Sequence, residues 1–123
     1  ISSFTIPLGA TINMDGTAIM QGCATFFLAS LYGIDLGMSE ILTIVVTATV
    51  ASIGTAGIPS AGIIMLTVIF TQIGIPLEGI TLLLGVDRLL DMMRTSINVS
   101  GDLCISCIVA SSENRIDETI YKS

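Results

Sequence analysis

The sequence predicts an all-α membrane protein made of a broken transmembrane helix, a re-entrant helical hairpin and a transmembrane helix with a polar stripe. Three observations carry this reading. The 123 residues are 52% hydrophobic and 11% charged, with a mean hydropathy of +0.93, whereas soluble domains carry about 25% charged residues. No charged residue occurs between Glu40 and Glu78. The one strongly charged stretch, Asp87 to Asp102 (DRLLDMMRTSINVSGD), is flanked on both sides by apolar residues, Ile80 to Val86 and Leu103 to Ala110.

The broken helix is expected over residues 1–32. Ile1 to Ala10 is apolar, with Pro7 and Gly9 weakening the helix. Thr11 to Thr17 (TINMDGT) interrupts it with polar residues, and Ala18 to Tyr32 resumes the apolar run. Irregular backbone at membrane depth survives only where it lines a cavity or packs in protein. Its carbonyls can bind a cation, and the N-terminus of the second half-helix can face an anion. The alternative is a loop between two elements, because Asp-Gly is also a turn signal.

The hairpin is expected over residues 38–73. The uncharged run is too long for one span of about 20 residues, and its middle, Ser52 to Gly62 (SIGTAGIPSAG), is made of small residues. The arms, Ile41 to Ala51 and Ile63 to Gln72, each reach about 15–18 Å at 1.5 Å per residue, half of a roughly 30 Å core. Gly54 and Gly57 permit close backbone approach, and Pro59 suits the start of a returning arm. Two ordinary spans joined by a loop are disfavoured by these lengths.

The striped helix is expected over residues 79–110. At about 100° per residue, Asp87, Asp91, Arg94, Thr95, Asn98 and Asp102 fall within roughly a 100° arc, and Leu89, Leu90, Met93, Ile97, Val99 and Leu103 point elsewhere. Five charges at the centre of a lone span would cost roughly 12–17 kcal/mol, against roughly 4–7 recovered from a dozen aliphatic residues. The stripe therefore faces protein, water or a bound ion, and such charges mark a functional site. A soluble amphipathic helix is the competing reading, and the apolar remainder of the chain opposes it. Residues 111–123 read as a polar, solvated tail.

Composition excludes several function classes. Four Lys and Arg without a cluster, at a net charge of −6, leave no footprint for nucleic acid. Cys104 and Cys107 form a C-x-x-C, but the chain has no His and only one other Cys, so helix packing is preferred over zinc. An intramembrane aspartyl protease would need two paired carboxylates, a Tyr-Asp pair and a Gly-x-Gly-Asp run; Val99-Ser100-Gly101-Asp102 lacks the first glycine. The chain opens on Ile1 without a charged n-region or cleavage site. It is expected to be the C-terminal part of a longer protein, or the product of a truncated gene.

Three stretches, Ser3 to Phe27 with NMDGT, Ala51 to Leu66 with SIGTAGIPSAG and Gly85 to Asp102 with DMMRTSINVSGD, resemble the glutamate transporter family of sodium-coupled dicarboxylate and amino-acid symporters. The resemblance implies a seventh transmembrane helix, a second re-entrant hairpin that gates the substrate, and an eighth transmembrane helix. Residues 1–110 would then be a partial transport core that moves like an elevator against a trimeric scaffold. The implied setting is the cell (inner) membrane, as part of a multi-pass homotrimer whose N-terminal scaffold and first hairpin lie outside this sequence.

The same resemblance implies residue roles. Asp91 would bind the amino group of glutamate or aspartate and Arg94 the side-chain carboxylate. Thr95, Asn98, Thr17 and the backbone near Ile58 would complete the pocket. One sodium ion would use Asp102 with carbonyls at Gly9, Asn13 and Asn98. A second would use carbonyls at Thr11, Ser52, Ile53 and Thr55, and a third Asp15 and Asn13. Hard oxygen ligands suit sodium, and the guanidinium fork suits a carboxylate. Gln21 stands where animal members have Glu, which implies a bacterial or archaeal type without potassium counter-transport. The remaining alternative is a remnant that does not transport and only associates with other membrane chains.

Overall fold

Hydrophobic residues at helical spacing fold the described residues into a series of helices. The computed structural model describes residues 1–54 and 61–123, the side chain of Ala61 excepted, and among the described residues every regular element is helical. The order is α1 (Ser2–Ile12), α2 (Asp15–Leu31), α3 (Met38–Gly54), α4 (Ala61–Ile73), α5 (Gly79–Leu84), α6 (Asp87–Ser112) and α7 (Glu118–Tyr121).

The break between α1 and α2 is narrower than the seven polar residues suggest. Only Asn13 (φ −123°, ψ 70°) and Met14 (φ −111°, ψ 65°) leave the helical region. Asp15 already lies in the first turn of α2, where its charge meets the positive end of the helix dipole. Two successive extended residues suffice to redirect the chain.

α3 and α4 occupy the two arms of the expected hairpin, but α3 is longer than its expected arm. Its 17 residues reach about 25 Å, against about 20 Å for α4. The tip lies outside the described residues, and with it the positions Thr55, Gly57, Ile58 and Pro59. From α3, Ile44, Ala48, Ala51 and Ser52 are buried, an i, i+4, i+7, i+8 stripe. Leu28 of α2, Ile44 of α3, and Leu66, Ile69 and Phe70 of α4 are the largest fully buried apolar side chains. The apolar core therefore sits between α2, α3 and α4.

The helix expected as one element over residues 79–110 is two. α5 ends at Leu84, and Val86 (φ −117°, ψ 2°) separates it from α6. Gly85 is a poor helix former, and Asp87 gains from opening a new helix rather than lying inside an old one. α2 and α4 end at Gly33 (φ 67°) and Gly74 (φ 85°), the left-handed residues that stop helices. At the end of α6, Asn114 (φ 52°) takes the same role. Arg115 N–H reaches Ala110 O at 2.8 Å, and Asn114 N–H reaches Ser111 O at 3.1 Å, a Schellman pair. The tail is not wholly irregular: Asp117 caps α7 by accepting the Thr119 N–H at 3.0 Å.

α6 is inverted relative to a water-soluble helix. Its charged Asp87, Arg94 and Asp102 are 4–6% exposed, while Leu89, Met92 and Met93 are 57–62% exposed. Among the described residues no helix is long and apolar enough to cross a membrane by itself.

Candidate functional site

Two helical faces built on a four-residue repeat meet beside the core. On α1 and its C-cap, Thr5, Gly9 and Asn13 follow one another at i, i+4 spacing; on α6, Asn98, Asp102 and Ser106 do the same. Ridges of this kind interdigitate when side chains are small enough.

The α6 face first meets the start of α2, at Asn98. Its Oδ1 accepts the backbone N–H of Gly16 at 2.8 Å, and its Nδ2 points at Thr17 Oγ1 at 3.4 Å. The N-cap of α2 is Met14, which supplies no side-chain cap, so Asn98 satisfies from α6 a donor that the helix start leaves open. Gly16 makes room for this: a Cβ there would lie 2.7 Å from Arg94 O.

The second meeting is at Asp102. Asn13 Nδ2 donates to Asp102 Oδ1 at 3.0 Å. A Cβ on Gly9 would collide with that carboxylate, lying 2.7 Å from its Cγ. Asp102 is 6% exposed, yet the ion pairs among the described residues involve Arg94 with Asp87 and Asp91, and Lys122 with Glu118, not Asp102. A buried carboxylate without a countercharge is costly. Asn13 meets it through Nδ2, so a neutral amide N–H, and no cationic side chain among the described residues, faces the carboxylate.

The third feature is the Arg94 guanidinium. One nitrogen, Nη2, is 2.7 Å from Asp91 Oδ1 and 3.7 Å from Asp87 Oδ1. The other, Nη1, is buried and has no hydrogen-bond partner among the described residues. It lies against the start of α4, since a Cβ on Gly62 would stand 2.7 Å from it. An apolar cavity of about 310 Å³ between α2, α5 and α6 has Arg94 as its one charged lining residue. A buried donor unmatched among the described residues, on a fixed cation, suits an anion.

The other expected site residues are placed as follows. Thr17 is buried, and Thr95 and Ile53 are exposed. Asp15 is exposed, its Oδ2 3.6 Å from where a Gly101 Cβ would sit. Thr11 is exposed, its hydroxyl donating to Leu8 O at 2.9 Å. Ser52 is buried on α3, its hydroxyl donating to Thr49 O at 2.7 Å. Thr55 and Ile58 lie outside the described residues. Gly16, Gly62 and Asp87 join the site without having been singled out. Asp87 was visible as a member of the stripe, and Gly62 as the last small residue of SIGTAGIPSAG. Gln21 is fully buried, and both polar atoms of its amide lack a hydrogen-bond partner among the described residues.

A striped helix bearing a buried arginine thus packs against a broken helix and the start of α4. Residues 1–112 match the profile of the sodium:dicarboxylate symporter family, and the chain belongs to that family. Over 102 residues, 83% of its length, it is 50% identical to excitatory amino acid transporter 3 of Mus musculus and 52% identical to excitatory amino acid transporter 2 of the same species. It is also 49% identical to excitatory amino acid transporter 1 of Ambystoma tigrinum. The chain spans about a fifth of the length of these relatives: 20%, 18% and 19% respectively. By name they are transporters rather than enzymes, which removes the protease reading.

Proposed function

We propose that residues 1–110 form the C-terminal part of the transport core of a secondary active symporter that takes up glutamate or aspartate together with sodium ions. Arg94 supports this most directly: a guanidinium held by Asp91 on one nitrogen, with the other buried and unsatisfied among the described residues. A substrate carboxylate would complete Nη1, and its ammonium group would take the outer oxygen of Asp91. Thr17, Thr95, Asn98 and the backbone near Ile58 would close the pocket. Asp102, whose carboxylate has no ion pair among the described residues, would hold one sodium ion with Gly9, Asn13 and Asn98. Thr11, Ser52, Ile53 and Thr55 would hold a second, and Asp15 with Asn13 a third. The neutral Gln21 amide carries no titrating proton, which fits a carrier without potassium counter-transport.

The reading places the chain in the inner membrane as part of a multi-pass protein. The apolar surface of α6 would face lipid or other helices, and its charged side the other elements of this core. α1 with α2 is then a broken span, α3 with α4 a re-entrant gate, and the whole an elevator moving against a homotrimeric scaffold supplied by further sequence.

The test is competition binding of aspartate and serine to the full natural polypeptide and its Arg94→Cys variant. Loss of a buried charged partner costs about 2–5 kcal/mol, roughly 30- to 5,000-fold in affinity. Aspartate affinity should fall by that factor, while serine gains. Near-normal aspartate affinity in Arg94→Cys places the pocket elsewhere.

A further inference from the structure

The repeat shared by α1 and α6 has one more meeting, to which the sequence reading gives no role. Thr5 Oγ1 and Ser106 Oγ are 2.7 Å apart, although 101 positions separate them in the chain. Ser106 is 8% exposed, and its hydroxyl donates to the carbonyl of Asp102 at 2.8 Å. The single Thr5 hydroxyl proton has two acceptors in reach, Ile1 O at 3.1 Å and Ser106 Oγ at 2.7 Å; given to the nearer Ser106, it leaves the Ser106 proton for Asp102. The result is a chain of hydroxyls that starts on α1 and ends on the main chain of Asp102.

Asp102 is thereby fixed at two points. Its carboxylate is held by Asn13 at the C-cap of α1, and its carbonyl is held, through Ser106, by Thr5 in the first turns of the same helix. Gly9 lies between these two anchors and leaves space for the carboxylate. A serine that bonds back to the carbonyl four residues earlier also tilts that carbonyl and bends the helix slightly. Here Thr5 sets the direction of that hydroxyl. A cation ligand must hold its place to within about 0.5 Å to keep its affinity.

The geometry points to Thr5 and Ser106 as a positioning pair that sets the affinity of the Asp102 cation site without touching the ion. The inference rests on the proposal that Asp102 holds sodium, and the test separates the two. The measurement is the sodium midpoint for thermal stabilisation of the full natural polypeptide in detergent, with choline replacing sodium. Bound ligand raises stability by mass action, so no substrate is needed. Asp102→Asn is the control on the underlying reading, and should raise the sodium midpoint further than either alanine variant, the other two proposed sodium sites keeping a residual response.

Ser106→Ala and Thr5→Ala should each raise the sodium midpoint about 3- to 10-fold, the effect of one lost hydrogen bond. The double variant should be no worse than the more affected single one, because both remove the same link. Ser106→Thr and Thr5→Ser keep the hydroxyl and should restore the original midpoint. If Asp102→Asn raises the sodium midpoint while both alanine variants keep the original one, the positioning role is overturned. It is also overturned if the hydroxyl-retaining variants shift as far as the alanine variants, since the effect is then packing alone. If Asp102→Asn leaves the sodium response intact, the cation assignment fails and the positioning role fails with it. Thr5 is only partly buried, so Thr5→Ala and Thr5→Ser still decide the question should Ser106→Ala not fold.

Discussion

A methyl group is enough to disturb either half of the site. Gly62 and Gly9 stand where a side chain would strike the Arg94 guanidinium and the Asp102 carboxylate. Neither target can swing away without breaking a bond, because Asp91 holds the first and Asn13 the second. Gly62→Ala should therefore weaken acidic amino-acid binding. Displacing one charged hydrogen bond costs about 1.5–3 kcal/mol, roughly 10- to 150-fold; the check is aspartate binding at saturating sodium. Gly9→Ala should instead raise the sodium midpoint and leave substrate affinity at saturating sodium near its original value. The two glycines thus report on the two ligands separately, and variants that shift both parameters equally would contradict the division. The charged residues were legible in the sequence because a 100° step places them on one arc. Gly9 was named for its carbonyl and Gly62 lay in a small-residue run, but that either must lack a side chain was not legible, because a glycine leaves no trace in a hydrophobic pattern. Only the facing helix shows why nothing larger fits.

Local chemistry sets where each helix begins and ends. Asp117 shows this outside the core: hydrogen bonds from the side chain and backbone of Thr119 hold its carboxyl below the ordinary carboxylate range. The folded value is the depressed one. The cap therefore supports α7 fully above the ordinary range, and the support is lost as pH falls through that range to the lowered folded value. The Thr119 amide resonance should titrate with an inflection below that of an unfolded aspartate peptide; an inflection at the peptide value would mean that the cap is absent in solution. This cap, an Asp two residues before Thr119, was readable in principle, but a polar segment of mixed charge hides a single turn. The interruption at Val86 was hidden for the opposite reason. Ile80 to Val86 is apolar enough to continue any helix, and the break depends on Gly85 and on the acid that follows. The ends of α3 and α4 were approximately legible, because small residues mark the tip even where a helix runs further toward it than expected.

Across the whole molecule, burial is divided by kind. Apolar residues of α2, α3 and α4 make one core, while α1 and α6 join the rest through polar atoms and glycines, leaving aliphatic side chains outward. An assembly of this kind is incomplete in water. The 123-residue chain alone should partition with membranes and resist alkaline extraction, yet show no concentrative aspartate uptake in proteoliposomes under a sodium gradient. Concentrative uptake by the chain alone would overturn the proposal that it requires further sequence. The seam between α1 and α6 closes over an acid that no basic side chain among the described residues balances. Such a seam is tight only while something in the medium supplies the missing charge. Withdrawing sodium should therefore speed amide hydrogen exchange in residues 9–16 and 98–106, while the amides around Leu28, Leu66 and Phe70 keep their protection. The break in the first helix then behaves as a latch that the external salt keeps shut, and the ion's departure becomes a mechanical event.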